Sequence, residues 1–359
     1  MERIPQGEYE DRKSRAFQAL ERAGLDCVLV FTGVNFRYFT GLSFARERYR
    51  IVVLLMGHDG KTWLFGPSFE EAKLCKNAAG AAVETWTDAE NQYQRIADTV
   101  IGAYGNRARI GLEPTTDYYH IQGLQEFLPR ASVSNGSVAT DALRAIKTDV
   151  ELDCLREAAE RTHRRMERVE SFLSDGMTER ELAALYGPSA MIQFGRTTSL
   201  PNAPAGDVTL RKNDIIVIDA GDRVNGYRSD IARTFFWGEP SRRMKEVYRL
   251  VAEAEEAAFA VVKPGEPAAN VDLAARGVID RAGYADFFLH RGGHGIGLGF
   301  HEIPICAGDS EDVLQPGMVL TAEPGVYLPG EFGVRLEDDI LVTETGFELL
   351  AERKTIYSF

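Results

Sequence analysis

Along the 359-residue chain, short apolar runs alternate with stretches whose apolar residues recur at helical spacing. Tyr9 to Gly24 carries Phe17, Leu20 and Ala23 on one helical face, with Gly24 as the stop. Cys27–Phe31, Ile51–Met56, Thr62–Phe65 and Arg109–Leu112 read as short buried strands. Thr87–Tyr104, with Asp88 as its N-cap, and Thr115–Phe127, ended by Pro129, read as helices. This alternation predicts an α/β unit of about 140 residues. It holds no cluster with obvious chemistry, so it reads as a substrate-enclosing, oligomerisation or structural unit. A boundary is expected between Asp141 and Val150.

The second half has a different rhythm. Glu151–Leu173 and Thr178–Phe194 are expected as helices, the latter opened by a Thr178/Glu181 capping box. A glycine- and proline-bearing loop, Gly195–Asp214, leads to two strands around Asn225-Gly226. A long helix follows over Pro240–Val262, with Met244, Val247, Tyr248 and Val251 on one face and Pro264-Gly265 as the stop. Asn270–Ala282 is a further helix, and Gly317–Glu323 and Gly333–Val342 are strands. The order helix, helix, strand pair therefore occurs twice, although the two copies share little residue identity.

Composition narrows the partners. An apolar content of 44% and a charged content of 26% are those of a soluble globular protein. With 41 basic and 54 acidic residues the net charge is −13, which disfavours nucleic acid and anionic membrane surfaces. Surplus carboxylates suit a hard cation. Four cysteines without paired spacing argue against a disulfide framework or a zinc–thiolate site and fit a reducing, cytoplasmic setting. The leading segment, MERIPQGEYEDRK, is charged and has no apolar signal core, and no run of 18 apolar residues predicts a membrane span.

Chemistry concentrates between His290 and Pro304, in HRGGHGIGLGFHEIP. Three of the six histidines (His290, His294, His301) fall here, threaded on Gly292, Gly293, Gly295, Gly297 and Gly299. So much glycine argues against an exposed helix face. A phosphate-cradling turn would have to open a helix, whereas this run continues into His301-Glu302-Ile303-Pro304. A catalytic or metal site remains.

The carboxylates point the same way. Asn225-Gly226 is a type I′ hairpin signal. If the turn forms, Val224 faces Tyr227, Asp219 faces Ala232 and Gly221 faces Asp230. Asp219 and Asp230 then share one face as diagonal neighbours, roughly 7–8 Å apart at the backbone. Asp219 also ends the apolar run Ile215–Ile218, where a charge is costly unless paired or coordinated; solvated acids on an edge strand are the alternative. Glu323 ends Val319–Ala322 ahead of Pro324, and Glu337 lies in an alternating strand beside Arg335, which could pair with a carboxylate. Oxygen ligands with a single imidazole suit manganese, and also cobalt, zinc or iron. Bridging carboxylates would suit two ions about 3.5–4 Å apart.

These residues carry a family resemblance. Asp219, Asp230, His294 in GHGIG, Glu323 in AEPGVY and Glu337 in GVRLEDD resemble the five-ligand set of the pita-bread metallopeptidases. That family includes methionine aminopeptidases, Xaa-Pro aminopeptidases, prolidases and creatinase relatives. Val34–Gly41 and the join Arg144–Thr148 are similar to the Xaa-Pro branch. The resemblance implies a mixed α/β (α+β) chain, with a creatinase-like N-terminal domain over residues 1–145 and a pita-bread catalytic domain over 146–359. It implies an Xaa-Pro aminopeptidase or prolidase-like hydrolase acting on small peptides with proline in second position, in a homodimer. Asp219 would chelate one divalent metal, Asp230 and Glu337 would bridge two, and His294 and Glu323 would bind the second. A hydroxide held between the metals would be the nucleophile. His301 would donate to the tetrahedral intermediate or shuttle a proton, and His290 would lie near the leaving group.

Two departures stand out. The family's loop histidine falls at position 202, where this chain has Asn202, which can donate a hydrogen bond to a substrate carbonyl but cannot carry a proton at neutral pH. The arginine that follows the HExP run in some prolidases, and holds a dipeptide's carboxylate, is replaced by Ile305. The first departure implies altered specificity, and the second favours substrates longer than two residues or a different small amide. They also leave open a hydrolase or lyase of a small non-peptide amide or amidine, or a non-catalytic peptide-binding homologue.

Overall fold

A computed structural model describes residues 4–353 apart from 48, 77, 79, 188 and 189. The chain divides into two compact units, Met1–Arg144 and Ala145–Phe359.

Among the described residues, the first unit is built on a six-stranded mixed sheet. Its order is Ala82–Trp86, Thr62–Pro67, Val53–Gly57, Cys27–Phe31, Arg109–Leu112, Ser132–Asn135. Cys27–Phe31 is buried on both faces, as an unbroken apolar run requires. It pairs antiparallel with Val53–Gly57 and parallel with Arg109–Leu112. Ala82–Trp86 and Ser132–Asn135 were not expected; they are largely uncovered edge strands with little apolar signal. Two helix starts differ from expectation. The helix ending at Tyr104 begins at Gln92, and its cap is Asn91, whose side chain accepts from the Tyr93 amide at 2.9 Å. Asp88 pairs instead with Arg50 on the surface. The next helix starts at Tyr118 rather than Thr115.

The second unit repeats a motif of two helices beneath a sheet. Asp149–Glu167 and Glu179–Tyr186 open with capping boxes at Thr148/Glu151 and Thr178/Glu181. The expected helix Thr178–Phe194 is shorter than its pattern suggested. It stops at Gly187 (φ 110°), residues 188 and 189 lie outside the described set, and Met191–Phe194 is a strand. That strand completes a three-stranded sheet with Asp214–Ala220 and Ile231–Trp237. Met166, Leu182, Ile216, Ile218 and Phe235 form the core beneath it.

In the second copy, Arg242–Ala260 and Ala269–Arg281 pack below a five-stranded sheet. Its order is Glu302–Cys306, Gly293–Gly295, Val319–Ala322, Asp338–Val342, Phe347–Leu349. The two sheets meet where Ala232 and Glu337 exchange backbone hydrogen bonds, at 3.3 and 3.1 Å. Among the described residues, no helix is long and apolar enough to cross a membrane.

Candidate metal centre

The Asn225-Gly226 turn has φ of 52° and 98°, the left-handed values a type I′ turn requires. Val224 faces Tyr227, the Ser229 amide donates to the Asp222 carbonyl at 3.2 Å, and Asp219 faces Ala232. The register thus runs unbroken from the turn into the sheet, and Asp219 and Asp230 share a face. The Ala232–Glu337 exchange then sets Glu337 against the strand that follows Asp230.

His294 comes from the other sheet. Its strand runs so close to Val319–Ala322 that a Cβ at Gly293 would lie 2.0 Å from the Thr321 carbonyl oxygen, which is why glycine is needed there. The His294 Nδ1–H donates to the Gly295 carbonyl at 3.0 Å, because a carbonyl only accepts. The unprotonated Nε2 is left facing acids, 3.7 Å from Glu323 Oε1 and 3.9 Å from Asp230 Oδ2. Asp230, His294 and Glu337 are all buried, and each offers a ligand atom within 4.8 Å of the others'. Asp219 lines the same cavity, with Oδ2 accepting from Arg335 Nη1. Arg335 is buried and also donates to Tyr327 Oη and the Pro201 carbonyl, both at 2.8 Å.

The electrostatics of this donor set favour a cation. Burial, then repulsion from Asp219 and other neighbouring acids, raises Asp230 well above the carboxylate range. Burial and the charge of Asp230 do the same to Glu337. Glu323 is pushed up to about 7 by burial, against the opposing pull of Arg335. Burial holds His294 down at about 4, so its imidazole is neutral and free to coordinate. Crowded buried carboxylates around a neutral imidazole lone pair fit a divalent ion, which would take the place of the protons this arrangement otherwise retains.

His290, His301 and Asn202 line the same cavity, of about 610 Å³. The His290 Nδ1–H donates to the Arg291 carbonyl at 2.8 Å, and its Nε2 accepts from Tyr327 Oη at 2.8 Å. Burial, then the Arg335 charge, lowers His290 to about 3. His301 stands at the exposed rim, its ring centroid 4.3 Å from that of His294 in an edge-on arrangement. Partial desolvation lowers its pKa. Asn202 lies in the wall beside Pro201. Ile305 does not line the cavity; it faces His294 in the ladder and gives its amide to Asp312 Oδ2 at 2.7 Å.

Other contributors were invisible in the sequence. Tyr327, which falls between the expected strands, links Arg335 to His290. Lys147 and Glu302 form a buried pair at 3.4 Å, and Glu302 Oε1 accepts from the Gly299 amide at 2.6 Å, bracing the loop before His301. Arg228 and Arg291 also line the cavity. The parts played by Tyr327, Lys147, Glu302 and Arg228 depend on contacts made only in the folded chain.

Comparison with known proteins identifies the family of the chain. The sequence profile of Metallopeptidase family M24 matches residues 153–344, and that of the Creatinase/Prolidase N-terminal domain matches residues 12–146. An uncharacterized peptidase of Staphylococcus aureus is 34% identical, over 94% of this chain and 97% of its own. The crystal structure of dipeptidase PepE from Mycobacterium ulcerans superposes with a TM-score of 0.91 at 34% identity, covering 98% of each chain. A prolidase from Thermococcus sibiricus superposes with a TM-score of 0.89 at 30% identity, covering 96% of this chain and 97% of its own.

Proposed function

Because the chain belongs to Metallopeptidase family M24 and carries a creatinase/prolidase N-terminal domain, we propose that this metallopeptidase releases the N-terminal residue from short peptides with proline in second position. The observation that carries the reading is the approach of the Asp230, His294 and Glu337 ligand atoms to within 4.8 Å, in a cavity that also holds Asp219 and Glu323. The names dipeptidase and prolidase of two structural neighbours support the substrate class.

We assign Asp219 to one divalent metal, Asp230 and Glu337 to both, and His294 and Glu323 to the second. Manganese suits this oxygen-rich set best, with cobalt, zinc or iron as alternatives. Two such ions, when bound, would bring the pKa of water towards neutrality and polarise the scissile carbonyl. The protein's own groups do the rest. Arg335 orients Asp219. The Gly295 carbonyl fixes the His294 tautomer, so that Nε2 faces the acids. His301 donates its N–H to the oxygen that gains charge as the amide is attacked, and His290 flanks the leaving group. The Asn202 amide donates to a substrate carbonyl. The four free cysteines fit our assignment of a cytoplasmic protein, which we take to be a homodimer.

Metal analysis of the purified protein tests the centre, with about two divalent ions per chain expected. Release of the first residue from Xaa-Pro and Xaa-Pro-Yaa peptides with added manganese tests the reaction. Asn202 favours a second reading, hydrolysis of a small non-peptide amide or amidine. Bound metal with no activity on any Xaa-Pro peptide would select it. Absence of bound metal would select a peptide-binding homologue.

A further inference from the structure

The cavity contains more positive charge than its acids use. Four arginines line it: Arg223, Arg228, Arg291 and Arg335. Arg335 is fully engaged with Asp219, Tyr327 and the Pro201 carbonyl. Among the described residues, no carboxylate lies within ion-pair distance of the other three. In a protein with a net charge of −13, where acids outnumber bases, unpaired arginines gathered in one cavity point to an anionic group that arrives from outside.

Arg228 is the one of the three held in a defined pose. Its backbone amide donates to the Gly297 carbonyl at 3.0 Å, tying its strand to the histidine loop. Its side chain is half-buried, whereas those of Arg223 and Arg291 are exposed. The guanidinium stacks 4.7 Å over the Phe300 ring. The Phe300 centroid is 4.6 Å from that of His301 and 5.7 Å from that of His294. The guanidinium carbon is therefore no more than about 10.4 Å from the centre of the His294 ring. A peptide whose scissile carbonyl sits at the acids and His294 carries the end of its next residue roughly 3.8 Å further on. The guanidinium fork, stacked on Phe300 at the cavity wall, would match a carboxylate at that end bidentately.

We propose that Arg228 binds the free C-terminal carboxylate of a dipeptide substrate. It would thereby supply, from the Asn225-Gly226 hairpin, the cation that the Ile305 strand lacks. The proposal rests on the peptidase reading and selects dipeptides over longer chains.

The test uses the full-length protein loaded with manganese and three substrates: Ala-Pro, its C-terminal amide Ala-Pro-NH2, and Ala-Pro-Ala. The wild type should cleave Ala-Pro with kcat/KM tenfold to a hundredfold above the amide, the range for a hydrogen bond to a charged group. In Arg228→Leu this ratio should collapse towards one, mainly through a higher KM for the acid. Arg228→Lys, which keeps the charge but not the fork, should retain part of it. Metal content measured on each variant distinguishes this loss from collapse of the centre.

Equal cleavage of acid and amide by the wild type would overturn the assignment, as would a ratio that survives in Arg228→Leu. So would a ratio abolished by Arg291→Leu but not by Arg228→Leu. In these cases the peptidase reading stands and Arg228 alone fails. Cleavage of none of the three substrates, with metal bound, sinks both.

Discussion

Arg335 holds Asp219 through one carboxylate oxygen while its other nitrogens grip Tyr327 Oη and the Pro201 carbonyl. It is the cation paired with Asp219 in the cavity, and it is buried. Removing it leaves Asp219 uncompensated among like charges. Arg335→Met should therefore destabilise the metal-free protein by about 3–5 kcal/mol, the cost of breaking a buried pair from one side. Added manganese should recover part of that loss. Urea denaturation with and without metal measures both, and an unchanged midpoint in the chelated protein would count against this role.

Asp230 and Glu337 each offer a ligand atom within 4.8 Å of the His294 ring nitrogen and are assigned to both ions. Asp230→Ala and Glu337→Ala should each lose one bound ion per chain. Turnover should fall by more than the ~100-fold typical of a group that only supports a ligand. Metal analysis beside a peptide assay decides it; full turnover in either variant would contradict the bridging role.

Asn202 presents an amide where a proton carrier would otherwise stand. Asn202→Ala should lower kcat/KM by up to about tenfold, through loss of one hydrogen bond. Asn202→His should add an ionisation near 6.5 to the pH–rate profile. An unaltered profile would mean that position 202 does not reach the substrate.

His290 is half-buried with both ring nitrogens occupied, and its pKa falls from an ordinary 6.5 to about 3. Between these values the unfolded chain binds a proton that the folded protein refuses. The stability due to the neutral ring is complete above pH 6.5 and is lost as the pH falls towards 3. Metal-free protein should therefore unfold more easily on acidification through this window, and His290→Gln should flatten the slope by about one proton. Denaturation midpoints from pH 4 to 7 report it.

Much of this was legible in the residues, for reasons that differ from place to place. The hairpin register followed from a two-residue turn, which leaves no slack, and it holds as far as the pair Asp214 and Trp237. The long helices were legible because their apolar stripes span several turns. Met191–Phe194 was misread as helix because four residues cannot separate a period of 3.6 from one of 2, and only pairing with Asp214–Ala220 decides it. Asp88 and Asn91 are both good caps, and the choice fell to Asn91 because Asp88 is drawn to Arg50. The convergence of Asp219, Asp230, His294, Glu323 and Glu337 on one cavity could be expected from resemblance. The roles of Tyr327, Arg228 and Lys147 could not, since each is defined by a partner distant in sequence.

The tight reversal at Asn225-Gly226 has a consequence for how such a chain can vary. Strand side chains obey parity, so adding or deleting one residue between Asp219 and Asp230 would send one acid through to the opposite side of the sheet. Length changes elsewhere on the surface cost little. Here the count itself is the constraint, and drift in loop length is closed to this segment even where every individual side chain could be exchanged.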